Sequence, residues 1–312
     1  MGTLLVGSVV AAVLCHGGGV AFVDTAKAAV IGRAALGGAG LALFAAPDGR
    51  VVVPLRGEDA TVVVVPGGAA ERWKGRTFPL FFNLPDRFYG VLPGALWTLS
   101  YPERVPLAHT VLAGLAGAWR ADCSPDGLTV AIVPVDEGRA TLLLVSPIEG
   151  SPTRQIALSG RVGALAVGRG GDWVAATLEG GAVEVALAGD SVGRGGVKIG
   201  GPVSCLGAGA DSRDLLAGVE AGGRAELVCL RVDPDEDGAL EVRFRTEVPE
   251  PLLGVAPAGG EVVALTRAEL LVLSRGGKRL RSRVALDGAE ALTVLPAVPA
   301  IGQPRWSDPG SQ

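Results

Sequence analysis

Few side chains in this chain could do chemistry: two histidines, four cysteines and one dense run of carboxylates. A histidine base needs a nucleophile within hydrogen-bond reach and a third group to orient it, and only His16 and His109 could serve. His16 falls in the glycine turn Cys15-His16-Gly17-Gly18-Gly19 and His109 in a stretch that reads as loop, so both are expected to be turn or surface residues. There is no Gly-x-Ser-x-Gly elbow. Gly168-Arg169-Gly170-Gly171 and Gly193-Arg194-Gly195-Gly196 precede no helical pattern and read as hairpin glycines, not phosphate cradles. Cys15, Cys123, Cys205 and Cys229 lie far apart with no Cys-x-x-Cys pair. That spacing signals neither a zinc cluster nor a disulfide framework and predicts buried, reduced thiols.

One segment carries a ligand-like pattern. Asp233-Pro234-Asp235-Glu236-Asp237-Gly238-Ala239-Leu240-Glu241 places Asp233, Asp235, Asp237 and Glu241 at positions 1, 3, 5 and 9 around a glycine at position 6. Calcium takes six to eight oxygens, and the glycine permits the sharp turn that gathers them. The segment reads as a solvated acidic hairpin between Leu227–Val232 and Leu240–Arg245, with these four carboxylates as the candidate calcium ligands; a bound ion would stiffen the loop and do no catalysis. Phe244 at position 12 excludes an EF-hand. No other cofactor is expected.

Bulk charge narrows the partners. The net charge of −4, from 28 basic and 32 acidic residues, supplies no field for a phosphate backbone, so nucleic acid is not an expected partner. The basic run Lys278-Arg279-Leu280-Arg281-Ser282-Arg283 reads as an outer strand with Arg279, Arg281 and Arg283 on one face, guarding a sheet edge. The apolar stretch Leu4–Cys15 is far short of the ~20 residues that span a bilayer. With no Lys or Arg before it and Leu14 directly before Cys15, it reads as a strand. A cytoplasmic protein is expected, with export as the alternative should residues 1–15 serve as a signal.

The elements that must hold these residues emerge from a repeat. Hairpin segments starting at Ala60, Ala140, Ala182, Ala225 and Ala268 superpose, spaced 80, 42, 43 and 43 residues apart. The gap of 80 contains one divergent unit, near residues 90–112, and Gly19-Val20-Ala21-Phe22-Val23 begins another. Seven units of ~40 residues have the period of four-stranded propeller blades. Within the fifth, Val162–Val167, Trp173–Leu178, Val183–Leu187 and Val197–Ile199 are the predicted strands. Most are continuous Val, Ala and Leu runs, as expected where both faces of a sheet are covered. Much of the count of 48 glycines then finds its place in hairpin turns. Leu292–Leu295, left without a unit of its own, is expected to close the ring as the innermost strand of the first blade.

The turns Ala46-Pro47-Asp48-Gly49 and Ser124-Pro125-Asp126-Gly127, with the seven units, resemble propeller repeat proteins of the WD40 and TolB-like kind. No unit ends in Trp-Asp or opens on Gly-His, so the resemblance is to the architecture and not to one family within it. It implies an all-β, seven-bladed β-propeller of four-stranded antiparallel blades over residues 1–300, followed by a Pro-, Ser- and Gly-rich tail at 301–312. The function that follows is a monomeric, non-catalytic scaffold whose loop faces mediate protein–protein interaction. The alternative is a ligand-binding or metal-assisted hydrolytic propeller, which requires carboxylates from several blades to converge at the channel mouth.

Overall fold

The computed structural model describes residues 9–68, 70–75, 87–92, 95–111, 119–124, 129–134, 141–146, 151–178, 181–187, 194–209, 211–233 and 238–295. In chain order the strands are β1 (Val10–Cys15), β2 (Gly19–Asp24) and β3 (Ala29–Ala35); β4 (Phe44–Ala45), β5 (Val51–Pro54), β6 (Ala60–Val64) and β7 (Glu71–Lys74); then β8 (Arg87–Leu92), β9 (Ala95–Ser100) and β10 (Pro106–Val111). They continue as β11 (Trp119–Cys123), β12 (Val130–Pro134), β13 (Thr141–Ser146) and β14 (Ser151–Ala157); β15 (Val162–Val167), β16 (Trp173–Leu178), β17 (Ala182–Leu187) and β18 (Arg194–Lys198). The chain finishes with β19 (Val203–Ala208), β20 (Asp214–Ala221), β21 (Arg224–Asp233) and β22 (Ala239–Val248); β23 (Gly254–Ala258), β24 (Glu261–Leu265), β25 (Glu269–Leu273) and β26 (Leu280–Ala285); and β27 (Ala289–Val294).

Each group forms one antiparallel sheet, and β27 joins the first in the order β27-β1-β2-β3. Seven blades result. The third shows three strands, β8 to β10, among the described residues. Ring closure is as the sequence predicts: β27 pairs with β1 from Ala11 opposite Val294 to Cys15 opposite Ala289.

Successive side chains of a strand point to opposite faces, and here each face meets a different neighbouring blade. In β1, Ala12 and Leu14 pack with Val51, Val53 and Val62 of the second blade, while Ala11, Val13 and Cys15 pack with Val263, Leu265 and Leu270 of the seventh. Seven buried apolar clusters arise in this way, one at each junction between adjacent blades. This is why the middle strands read as unbroken apolar runs. Two glycines show how tightly the ring is drawn. Gly18 has φ +82°, and a Cβ there would stand 2.3 Å from the Gly38 carbonyl oxygen; a Cβ on Gly207 would stand 2.5 Å from the Val255 carbonyl of the next blade's inner strand.

Three boundaries differ from expectation. The fourth strand of the fifth blade is Arg194–Lys198, with Ile199 fully buried just beyond it. The last outer strand begins at Leu280, because Ser274 holds Arg279 in the preceding turn through the Arg279 N–H to Ser274 Oγ hydrogen bond of 3.1 Å. His109 lies within β10 and not in a loop, directly opposite Trp97, on which its ring stacks at 4.9 Å and 22°. Residues 301–312, expected to form a tail, lie outside the described residues.

Candidate functional site

The inner strands β11, β15, β19, β23 and β27 surround a central cavity of about 570 Å³. Its wall is mostly aliphatic, with Val9, Leu165, Leu206, Val255 and Val294 among the lining residues. Asp122 supplies the only carboxylate among the described lining residues. It sits near the end of β11, and its Oδ2 accepts a 3.0 Å hydrogen bond from the Val167 N–H on the inner strand of the next blade. Burial pushes the Asp122 carboxyl up to about 6, against the pull of the Cys123 and Val167 backbone N–H groups.

Sequence reasoning did not single out Asp122, although one signal was present. Counting back two residues from each Pro-Asp-Gly turn segment reaches Phe44 in the second blade but Asp122 in the fourth. A charge at an otherwise apolar inner-strand position stands out only once the repeats are laid over one another.

The predicted calcium ligands are only partly placed. Asp235 and Asp237 lie outside the described residues. Asp233 ends β21 opposite Ala239, and Glu241 on β22 stands opposite Arg231, so Asp233 and Glu241 share one face of the hairpin. Asp233 Oδ1 lies 3.9 Å from Arg213 Nη1. Among the described residues, no group of three or more His, Cys, Asp or Glu side chains is placed to hold a metal. Thermal melting checks the calcium expectation. Binding through this hairpin raises Tm in millimolar calcium over chelator, and Asp233→Asn combined with Asp235→Asn removes the increase. An unchanged Tm assigns 233–241 to a solvated turn.

Of the histidines and cysteines among the described residues, Cys123 alone lines the channel with Asp122. His16 is exposed in the β1–β2 turn, its Nδ1 3.0 Å from Glu290 Oε1 on the closing strand. Among the described residues, neither histidine is hydrogen-bonded to a serine, threonine or cysteine side chain. Cys15, Cys205 and Cys229 are buried free thiols, as expected, whereas Cys123 is half-buried beside the channel. Burial raises the Cys205 thiol to about 11 and the Cys229 thiol to about 12, which keeps both protonated and poorly nucleophilic near neutrality. In the basic strand, Arg281 and Arg283 pair with Glu261 at 2.7 Å and Glu269 at 3.4 Å across their own sheet.

The surface contains one other distinctive element. Outer strands β3, β7, β14, β18, β22 and β26 each carry at least one arginine, whereas β10, Pro-Leu-Ala-His-Thr-Val, carries no Lys, Arg, Asp or Glu. Leu107 and Val111 on it are 53% and 70% exposed, and Val105 just before it is 55% exposed. Charged outer strands deter edge-to-edge pairing; this one has no such guard.

No protein-family model matches the chain, and no curated protein matches its sequence. Solved structures do. A functionally unknown protein from Desulfotomaculum acetoxidans superposes with TM-score 0.71 at 13% identity, covering 92% of this chain and 98% of that one. A chain of the mitotic checkpoint complex gives 0.63 at 12% identity over 82% and 81%. The WD40 domain of Toxoplasma gondii coronin gives 0.59 at 13% identity over 80% and 70%. Together with the seven sheets and the strand that closes their ring, these likenesses make the chain a seven-bladed β-propeller. At such identities they establish the fold alone.

Proposed function

We propose that this propeller is a non-catalytic scaffold that docks a protein partner, with the outer strand of the third blade as part of the contact. The observation that carries the reading is β10. It is an exposed apolar strand without a charged residue, on a molecule whose six other outer strands are all guarded by arginine. Exposed apolar surface on a rigid β scaffold favours protein docking, and an open sheet edge can accept an extended segment by strand addition. The likeness to a chain of the mitotic checkpoint complex fits a role in assemblies.

The hydrolytic alternative requires several carboxylates converging at the channel. Among the described residues Asp122 is the one carboxylate lining the channel, short of that requirement, which supports the scaffold reading.

Replacing Leu107 with Arg and Val111 with Lys restores the charge that the other outer strands carry. Paired pull-downs from the native host are expected to recover a partner with the wild type and at least tenfold less of it with the double variant, at unchanged far-ultraviolet circular dichroism and Tm. Equal recovery by both proteins would remove β10 from the contact. Recovery of no partner, with turnover in a hydrolase panel, would overturn the scaffold itself.

A further inference from the structure

A docking scaffold has no use for a carboxylate in its central channel, yet Asp122 is placed there without a countercharge. It is half-buried at the cavity wall, and its carboxylate is held by the backbone N–H groups of Val167 and Cys123. Among the described residues, no Lys or Arg pairs with it. Several other carboxylates are compensated: Asp48, Glu58, Glu226, Glu261 and Glu269 each have an arginine partner. A charge left unpaired against aliphatic walls is costly, and backbone hydrogen bonds offset only part of that cost. An uncompensated group of this kind in a cavity is a candidate binding site.

We propose that the channel is a binding site for a small amphipathic amine, whose ammonium group pairs with Asp122 and whose aliphatic body lies against Leu165, Leu206 and Val294. Three observations select this chemistry. The cavity, at about 570 Å³, is in the range of ~300–1,000 Å³ typical of small-molecule sites. The charge to be neutralised is single and negative, which disfavours an anion and lets a neutral ligand offer Asp122 a hydrogen bond but no countercharge. A metal ion is a poor fit, because calcium asks for six to eight oxygens and no metal-holding group forms among the described residues. An ammonium asks for less: one carboxylate and one or two carbonyls satisfy its three donors. The inner strands end their sheets, so unpaired backbone groups lie along the same edge as the Asp122 carboxylate.

The test is calorimetric titration of the full chain with hexylammonium, hexanol and hexanoate, which share a body and differ in head group. Hexylammonium is expected to bind with one site per chain, at least about tenfold more tightly than the other two, as a charge-assisted hydrogen bond requires. Asp122→Asn is expected to bring its affinity down to that of hexanol, and Leu206→Ala to weaken hexylammonium and hexanol alike. A second arm needs no variant: hexylammonium stays protonated across the range, so its affinity for the wild type should fall as pH drops below about 6 and Asp122 takes up a proton. Equal affinity for hexylammonium and hexanol, no binding of hexylammonium, or an affinity unchanged by pH or by Asp122→Asn would each overturn the proposal. These results are separate from the fate of the docking reading, because β10 lies on the outer rim and the variants above leave it untouched.

Discussion

A chain ending at Gly288 is expected to lose the cooperative thermal transition of the full propeller. The truncation removes β27, which pairs with β1 along its length and is extended by the 2.9 Å hydrogen bond from the Leu295 N–H to the Val10 carbonyl. Leu292 and Val294 pack at the junction of the seventh and first blades, and Leu295 at the junction of the first and second. The buried Leu295 at ~1.5–3 kcal/mol, smaller contributions from the half-buried Leu292 and Val294, and several backbone hydrogen bonds at ~0.5–1.5 kcal/mol each are together comparable with the ~5–15 kcal/mol that holds a whole domain folded. The loss also uncovers Ala11, Ala12, Val13 and Leu14, each at most 1% exposed in the closed ring, and opens the β1 edge to pairing with other chains. Circular dichroism melting with size-exclusion chromatography reads the result. A chain ending at Leu295 is the control that keeps the strand, and a peptide spanning 289–295 added in trans should restore part of the transition. A cooperative, monomeric melt within a few degrees of the full chain would show that β27 does not hold the ring.

The second large effect is an unusual pH dependence of stability. Most carboxylates in folded proteins are held below their ordinary range and stabilise the fold as pH rises. Asp122 runs the other way, from an unfolded value of 3.8 to about 6 in the fold. The folded state therefore binds its proton more tightly than the unfolded state. Between about pH 6 and pH 4 the fold gains stability from this group as pH falls; above about pH 6 that gain is absent. At ~1.4 kcal/mol per unit, the full span is at most about 3 kcal/mol, reduced to the extent that the half-buried carboxylate reaches channel water. Urea denaturation at neutral pH and near pH 4.5, for wild type and Asp122→Asn, isolates it. The wild type should gain up to about 2 kcal/mol relative to the variant between neutral pH and pH 4.5, while carboxylates such as Asp214, paired with Arg243 at 3.1 Å, contribute equally to both. A difference that does not change with pH would mean that Asp122 is solvated as an ordinary surface carboxylate.

The blades were legible because their determinants are local. The apolar runs, the glycine turns and the spacing of 42 and 43 residues all lie within one hairpin or between adjacent ones. Even ring closure could be inferred, since Leu292–Leu295 had no unit of its own and the first blade lacked a strand. The third blade was less clear. Its outer strand contains Pro106, Ala108 and His109 and has neither alternation nor charge, so it reads as loop, and pairing with Ala95–Ser100 is what makes it β10. Context decided there, as it commonly does for weak strands.

The channel site needed more than the repeat. Asp122 and Val167 are 45 residues apart, and their hydrogen bond exists because the inner ends of two blades converge on one axis. A sequence specifies which residues occupy inner strands, but an aspartate there is an ordinary polar residue until the ring surrounds it with aliphatic walls and, among the described residues, sets no Lys or Arg beside it. By itself this sequence determined an all-β ring of seven repeats, because short-range pattern and turn chemistry suffice for that. Only the tertiary structure decided that Asp122 lies in the channel with no Lys or Arg partner among the described residues and that β10 exposes Leu107 and Val111, because solvation and charge pairing depend on neighbours from other blades.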